Sequence, residues 1–161
     1  MKSVYIETSV ISYLTGRPSR DLLVAACQQA TSEWWRNRRD LYALFTSELV
    51  TEEAAAGNPE AARLRLSRLE GIAELKVTSE AEELALALLA KGALPSKAGA
   101  DALHVAVAAV HGIELLITWN YRHLDNPTAK PKMREICRAT GRECPEICTP
   151  LELLGVDIDE G

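Results

Sequence analysis

The chain opens with Val4-Tyr5-Ile6-Glu7-Thr8-Ser9, a short apolar run that ends in three polar residues. An apolar run of this length with a polar boundary predicts a buried β-strand. Thr8 or Ser9 can cap a helix that continues to about Leu14, where a glycine and a proline follow. The stretch therefore predicts a strand–helix unit with one carboxylate, Glu7, at the junction.

Strands and helices alternate along the rest of the chain. The longest helix is predicted over Asp21–Arg38, and an Ala/Val-rich helix over about Ala98–Val110. Strands joined by helices pair in parallel and carry helices on both faces of the sheet. We therefore predict the α/β class, a three-layer α/β/α fold with a central parallel sheet of four to five strands, in one domain over residues 1–161. The further strands are predicted over Leu41–Thr46, Leu75–Val77 and Leu115–Thr118, with Glu146–Thr149 as an edge strand.

Composition and charge exclude several classes of protein. Apolar residues make up 47% and charged residues 25% of the chain, as in an ordinary globular domain. Because no apolar stretch is long enough to span a bilayer, we expect a cytoplasmic protein without a membrane partner. The net charge of −5 argues against coating nucleic acid through bulk positive charge, but not against local binding of a short RNA. Three basic clusters are interpreted by default as solvated helix faces: Arg36, Arg38 and Arg39; Arg63, Arg65 and Arg68; Lys130, Lys132, Arg134, Arg138 and Arg142.

Two further features leave alternatives open. The cysteines, at positions 27, 137, 144 and 148, lack the paired C-x-x-C spacing of a zinc site. Reduced thiols are expected, with a local disulfide or metal site near the C-terminus as the alternative. Trp34 and Trp35 are adjacent on a helix and cannot point in the same direction. We predict that at least one is partly exposed at a dimer or partner surface; the alternative is that both pack under a neighbouring loop.

Four polar positions are predicted to lie at one edge of the sheet, where parallel α/β folds bind ligands. Glu7 and Asn120 each follow a predicted strand, and either could instead be a helix cap or turn residue. Glu53 falls on the apolar face of its short helix, which is costly for a carboxylate unless a cation or donor meets it. Asp101 lies in the first turn of the Ala/Val-rich helix, where the helix dipole favours an anion.

Each of these interpretations has a structural alternative. Glu53 could pair with an arginine inside the protein, and Asp101 could simply cap its helix. His104, one turn after Asp101, is predicted to be a hydrogen-bonded packing histidine rather than a metal ligand. If the carboxylates converge, their oxygens suit Mg²⁺ or Mn²⁺. The sequence lacks a Walker motif, G-x-S-x-G and G-x-G-x-x-G, so nucleotide-fuelled, serine-hydrolase and dinucleotide-binding functions lose their main support.

Four stretches, in order, resemble the motifs of the PIN-domain family. The first is Val4–Ser9, where an acid precedes Thr-Ser, and the second is Ser47–Glu53, where the acid lies four residues before Gly57. The third, Asp101-Ala102-Leu103-His104-Val105-Ala106, is the most specific. The fourth is Leu116–Asn120, which ends in Thr-x-Asn. The resemblance runs from residue 2 to about 150 and is strongest to the VapC-type toxins of toxin–antitoxin pairs. Two positions depart from it, because Glu7 and Asn120 stand where aspartate is usual or frequent.

The resemblance implies a PIN-like fold and metal-dependent cleavage of RNA phosphodiesters. It implies that Glu7, Glu53 and Asp101 hold Mg²⁺ or Mn²⁺, and that Asn120 is the fourth catalytic position, which orients a water ligand. It also implies an RNA substrate and a cognate antitoxin protein as partners. A homodimer is expected as well, from the adjacent tryptophans. Two other functions stay open on the residues alone: a catalytically weak PIN-like module that binds RNA or protein, and a metal phosphatase acting on small molecules.

Overall fold

A computed structural model describes residues 1–155, and the last six residues of the predicted domain lie outside them. Within this part of the chain the strands are β1 (Lys2–Ile6), β2 (Tyr42–Ser47), β3 (Ala73–Leu75), β4 (Leu115–Ile117) and β5 (Glu146–Cys148). The helices are α1 (Thr8–Thr15), α2 (Leu22–Asn37), α3 (Glu48–Ala54), α4 (Pro59–Leu69), α5 (Ser79–Ala90), α6 (Gly99–Val110), α7 (Ala129–Ala139) and α8 (Pro150–Leu154). A 3₁₀ turn at Arg39–Leu41 precedes β2.

The strands form one all-parallel sheet in the order β3-β2-β1-β4-β5. Val4 in β1 lies opposite Leu44 of β2 and Leu115 of β4. This confirms the α/β prediction of a parallel sheet of four to five strands flanked by helices. The chain order reverses direction at β1, between β2 and β4, which is the position where open parallel sheets place their binding sites.

The core lies around the two central strands. Val4, Tyr5 and Ile6 are fully buried, as are Leu116 and Ile117 of β4. Such continuous burial is expected of a parallel strand covered on both faces. Helices α5, α6 and α7 pack together as one group, and α1 packs with α2, α3 and α4 as another. None of the helices within residues 1–155 combines the length and the apolarity needed to cross a bilayer.

Two elements of the structure differ from the sequence-based prediction. The third strand covers Ala73–Leu75 rather than Leu75–Val77, because the Val77 amide donates to the Glu48 carboxylate instead of to a neighbouring strand. Helix α8 was not predicted. Thr149 and Glu152 form a reciprocal capping box at its start, and this Thr-x-x-Glu pattern is readable from the sequence.

The prediction of an exposed tryptophan is wrong. Trp34 is fully buried and Trp35 is 7% exposed. The end of α2 is covered on two sides: the Trp34 ring packs against Tyr42, and the Arg39 guanidinium lies 4.4 Å from the centre of the Trp35 ring. Both side chains therefore pack beneath the turn that follows α2, which is the alternative prediction. All four cysteines are free thiols in this structure.

Candidate metal centre

Glu7 stands at the carboxyl end of β1 and is buried. It is itself the cap of α1, since its Oε2 accepts from the Ser9 amide at 3.0 Å. Its Oε1 accepts from the hydroxyls of Ser9 and Thr118, each at 2.5 Å. Capping by Thr8 or Ser9 was therefore the wrong prediction. The helix-cap alternative for Glu7 is correct, and it leaves Oε2 with an unused lone pair.

Glu53, in α3, is half-buried and faces Glu7 across the end of the sheet. Its Oε1 accepts from the Thr8 hydroxyl at 2.5 Å and from His104 Nε2 at 2.7 Å, whereas its Oε2 accepts no hydrogen bond within residues 1–155. Burial would raise the pKa of Glu53, but the hydrogen bonds from His104 and Thr8 hold that pKa below its usual value. The carboxylate is thus charged, and it forms no ion pair with an arginine in the described chain.

A buried chain of hydrogen bonds runs from Ser47 through Tyr5 and His104 and holds the Glu53 carboxylate in position. The Tyr5 hydroxyl lies 2.7 Å from both Ser47 Oγ and His104 Nδ1, and Ser47 Oγ accepts from the Val50 amide. One arrangement of protons satisfies every member: Ser47 donates to Tyr5, Tyr5 to Nδ1 of a neutral imidazole, and Nε2–H to Glu53. Burial raises the pKa of Tyr5 well above its usual value, so its hydroxyl keeps the proton that it donates. The prediction of a hydrogen-bonded His104 is confirmed.

Tyr5→Phe is expected to destabilise the fold by about 1–3 kcal/mol, because it leaves His104 Nδ1 buried without a donor. Urea unfolding monitored by circular dichroism measures the loss as a lower midpoint. Tyr13→Phe is the matched control, since the Tyr13 hydroxyl forms no hydrogen bond within residues 1–155. Equal midpoints for the two variants would contradict a structural role for the chain through Tyr5.

Asp101 and Asn120 form a second group beside the first. Asp101 lies in the first turn of α6, as predicted, but it does not cap that helix. Its Oδ1 accepts from Asn120 Nδ2 at 3.1 Å and its Oδ2 lies 2.8 Å from His123 Nδ1. Asn120 Oδ1 in turn accepts from the His123 amide. These three residues hold one another in place at the end of β4.

Thr118 links the two groups. Its hydroxyl donates to Glu7 Oε1 and accepts from the Asn120 amide at 3.0 Å. The four predicted site residues are therefore brought to one edge of the sheet. Ligand atoms of Glu7, Glu53 and His104 lie within 4.8 Å of one another. Asp101 is not a member of this set, and its carboxylate contacts Asn120 and His123.

The donor set fits a divalent cation. Glu7 Oε2 and Glu53 Oε2 have unused lone pairs, and oxygen ligands suit Mg²⁺ or Mn²⁺. No lysine or arginine within residues 1–155 pairs with Glu7, Glu53 or Asp101, so their charge is not neutralised by the protein's own cations. His104 is a weaker candidate ligand because both of its ring nitrogens are already hydrogen-bonded.

Thr118 and His123 contribute to the site and were not predicted from the sequence as site residues. Thr118 is fully buried at the end of β4, and a threonine there is ordinary for a strand. His123 follows Asn120 by three residues in an irregular segment, where no periodic pattern indicates its direction. The sequence feature that could have indicated them is their closeness to Asn120, a predicted site residue: Thr118 precedes it by two residues and His123 follows it by three.

A parallel α/β domain places its ligand sites at the topological switch point, and carboxylates clustered there can hold a divalent cation. Residues 4–127 match the model of the PIN domain, which is more than half of the chain. The chain belongs to the PIN-domain family.

Two solved structures share this fold. Mycobacterium tuberculosis VapC20, a toxin that cleaves the sarcin–ricin loop, is 20% identical, with a TM-score of 0.58 over 74% of this chain and 92% of that chain. VapBC2 from Rickettsia felis, bound to a DNA fragment from its promoter, is 15% identical, with a TM-score of 0.50 over 78% of this chain and 94% of that chain. The structural neighbours are thus VapC toxins of VapBC toxin–antitoxin systems, and at these identities the likeness is one of fold. No curated protein matches the chain.

Proposed function

We propose that this protein is a divalent-metal-dependent endoribonuclease that acts as the toxin of a toxin–antitoxin pair. The observation that carries the proposal is the convergence of Glu7 and Glu53, with unused carboxylate oxygens, at the switch point of a PIN domain. Cleavage of the sarcin–ricin loop by VapC20, one of the structural neighbours, supports an RNA substrate. The location, in this proposal, is the cytoplasm.

Glu7, Glu53 and Asp101 would hold Mg²⁺ or Mn²⁺. When bound, such an ion lowers the pKa of a coordinated water and stabilises charge on phosphate oxygens. The chain's own contribution is to fix the ligands: Thr118 and Ser9 orient Glu7, and Thr8 and His104 orient Glu53. Asn120 restrains Asp101 through its amide and adds no charge of its own.

Partners follow from the same proposal. VapBC2 of Rickettsia felis is a toxin–antitoxin complex, and this supports an antitoxin protein as partner of the present chain. A homodimer is also proposed, although the tryptophan pair that first suggested an interface is buried. Size measurement by light scattering, with and without a coexpressed neighbouring small protein, tests both partners.

Two observations favour a second candidate function, a catalytically weak PIN-like binding module. Three hydrogen bonds already engage the Glu7 carboxylate, one of them as the cap of α1 and two from the Ser9 and Thr118 hydroxyls. Asn120 supplies an amide where a carboxylate is frequent in the family. Such a protein would keep the fold and bind RNA without hydrolysing it. A measurement of divalent-metal binding distinguishes the two functions, because the ribonuclease requires a bound metal ion.

Wild-type protein is expected to cleave single-stranded RNA in Mn²⁺ or Mg²⁺ and to lose that activity in excess EDTA. Cleavage is monitored on a fluorescent oligonucleotide pool resolved by gel electrophoresis. Glu53→Gln serves as the control against contaminating ribonuclease, because it removes a proposed metal ligand and keeps the side-chain size. Metal-independent cleavage, or equal cleavage by wild type and Glu53→Gln, would contradict the proposal. RNA binding without cleavage would favour the binding module.

A further inference from the structure

A basic cavity adjoins the candidate metal centre on the Asp101 side. It has a volume of about 270 Å³ and lies between the Gly92–Pro95 loop, the segment after β4 and the start of α7. His123 belongs to both places, because it lines the cavity and contacts Asp101 Oδ2 at 2.8 Å. The cavity and the candidate metal centre are therefore adjacent, with His123 between them.

Arg122 and Lys132 give this cavity its charge. Both are exposed and line it, and no carboxylate does. Within residues 1–155 neither side chain forms an ion pair. The Gly92–Pro95 wall carries no charge, so nothing in the lining offsets the two cations.

The other members of the third basic cluster have different partners. Lys130 pairs with Asp125, Arg134 with Glu146 and Arg138 with Glu143, while Arg142 donates to the Val110 carbonyl. The third basic cluster, predicted to be one solvated helix face, therefore consists of cations with different partners in the folded protein. Lys132 is the member that faces the cavity with its charge unpaired among the described residues.

The position of these two cations matters because the surroundings are negative. The chain carries a net charge of −5, and Glu7, Glu53 and Asp101 lie nearby. A polyanion approaching this edge needs local positive charge to offset the repulsion. The arginine guanidinium and the lysine ammonium commonly bind phosphate by donating hydrogen bonds to its oxygens.

We propose that this cavity is a phosphate subsite that binds the RNA backbone beside the phosphate to be cleaved. The inference rests on the proposed ribonuclease function for the identity of its ligand. Arg122 and Lys132 contact the neighbouring phosphate, and His123 joins the subsite to Asp101. The contacts are to the backbone, so they add affinity without reading base sequence.

The test compares two double variants that change the net charge equally. Arg122→Gln with Lys132→Gln removes the subsite cations. Arg134→Gln with Arg138→Gln removes two ion-paired cations of the same helix region and is the matched control. Binding of a fluorescent single-stranded RNA is measured in EDTA by anisotropy across a salt series, and KM and kcat are measured in Mn²⁺.

The subsite variant is expected to raise Kd and KM roughly tenfold with kcat little changed, since two backbone contacts are lost. Its salt slope should fall by about 1.4, at about 0.7 for each phosphate contact on a single strand. Hydrolysis of bis(p-nitrophenyl) phosphate, which has no neighbouring phosphate, should not change. The control variant should match wild type.

Equal effects of the two double variants, or no measurable RNA binding by wild type in either assay, would overturn the subsite. The two proposals fail separately. Binding that depends on Arg122 and Lys132 without any metal-dependent cleavage would reject the ribonuclease and keep the phosphate site. Cleavage with unchanged KM in the subsite variant would reject the site and keep the ribonuclease.

Discussion

Glu53→Gln is expected to abolish the rise in melting temperature that Mn²⁺ gives the wild-type protein. A ligand that binds the folded state at a hundred times its Kd stabilises that state by about 2.7 kcal/mol. For a domain of this size such a gain corresponds to a rise of about 5–10 °C. Glutamine keeps the shape of the side chain and can still accept from Thr8 and His104, but it removes the negative charge and the free carboxylate oxygen. The metal response should disappear while the metal-free fold changes little.

Glu52→Gln is the matched control for this experiment. It removes the same charge from the neighbouring residue of α3, whose side chain is exposed. Differential scanning calorimetry across a Mn²⁺ series, with a chelator baseline, gives the melting temperatures. RNA cleavage by Glu53→Gln should fall by at least about a hundredfold, because lost electrostatic stabilisation of this kind typically costs that much. A wild-type metal response retained in Glu53→Gln would remove Glu53 from the site.

Asp101→Asn extends the same measurement to the second group. Asp101 is bonded to Asn120 and His123 rather than to Glu53, so its part in metal binding is the less direct of the two. A lost or weakened Mn²⁺ response would support the proposed ligand set of Glu7, Glu53 and Asp101. A full response would leave Glu7 and Glu53 as the carboxylate ligands and give Asp101 a role in holding Asn120 and His123.

The fold was predictable because its determinants are local. Short apolar strands and amphipathic helices are readable from the spacing of residues, and β1 and α6 occur where that spacing predicts them. Glu7 and Asn120 each follow a strand, so the parallel strand direction alone predicts that both lie at the same edge of the sheet. The position of Glu53 follows from the helical wheel of α3, although the residue lies half-buried at the margin of the apolar face.

What could not be predicted depends on contacts between distant elements. The chain from Ser47 through Tyr5 to His104 joins β2, β1 and α6, and no spacing in the sequence specifies it. Trp34 and Trp35 point in different directions, as their adjacency requires, but tertiary packing covers both. The basic clusters looked alike in sequence, and the positions of Glu143, Glu146 and Asp125 decide which cations are paired.

Asn120→Asp is expected to strengthen Mn²⁺ binding and to weaken the metal-free fold. The Asn120 Nδ2 atom lies 3.1 Å from Asp101 Oδ1 and donates to it, so the substitution replaces a hydrogen bond by two facing carboxylates. Unit charges about 4 Å apart at an effective dielectric of about 20 interact by about 4 kcal/mol, and partial exposure of Asp101 reduces this. A loss of about 1–3 kcal/mol in chelator is therefore expected, with a higher affinity for the cation that relieves the repulsion.

Calorimetric titration with Mn²⁺, paired with urea unfolding in chelator, measures both signs of this effect. Asn126→Asp is the control, because it adds the same charge in the same segment and Asn126 makes its contacts with Arg122, Thr128 and Ala129 rather than with Asp101. The control should leave Mn²⁺ affinity near the wild-type value. Opposite changes in affinity and metal-free stability at Asn120, absent at Asn126, require a carboxylate group beside Asn120 that a cation can reach. Unchanged affinity in Asn120→Asp would instead mean that Asp101 and Asn120 lie outside the metal centre and that any ion is held from the Glu7 and Glu53 side.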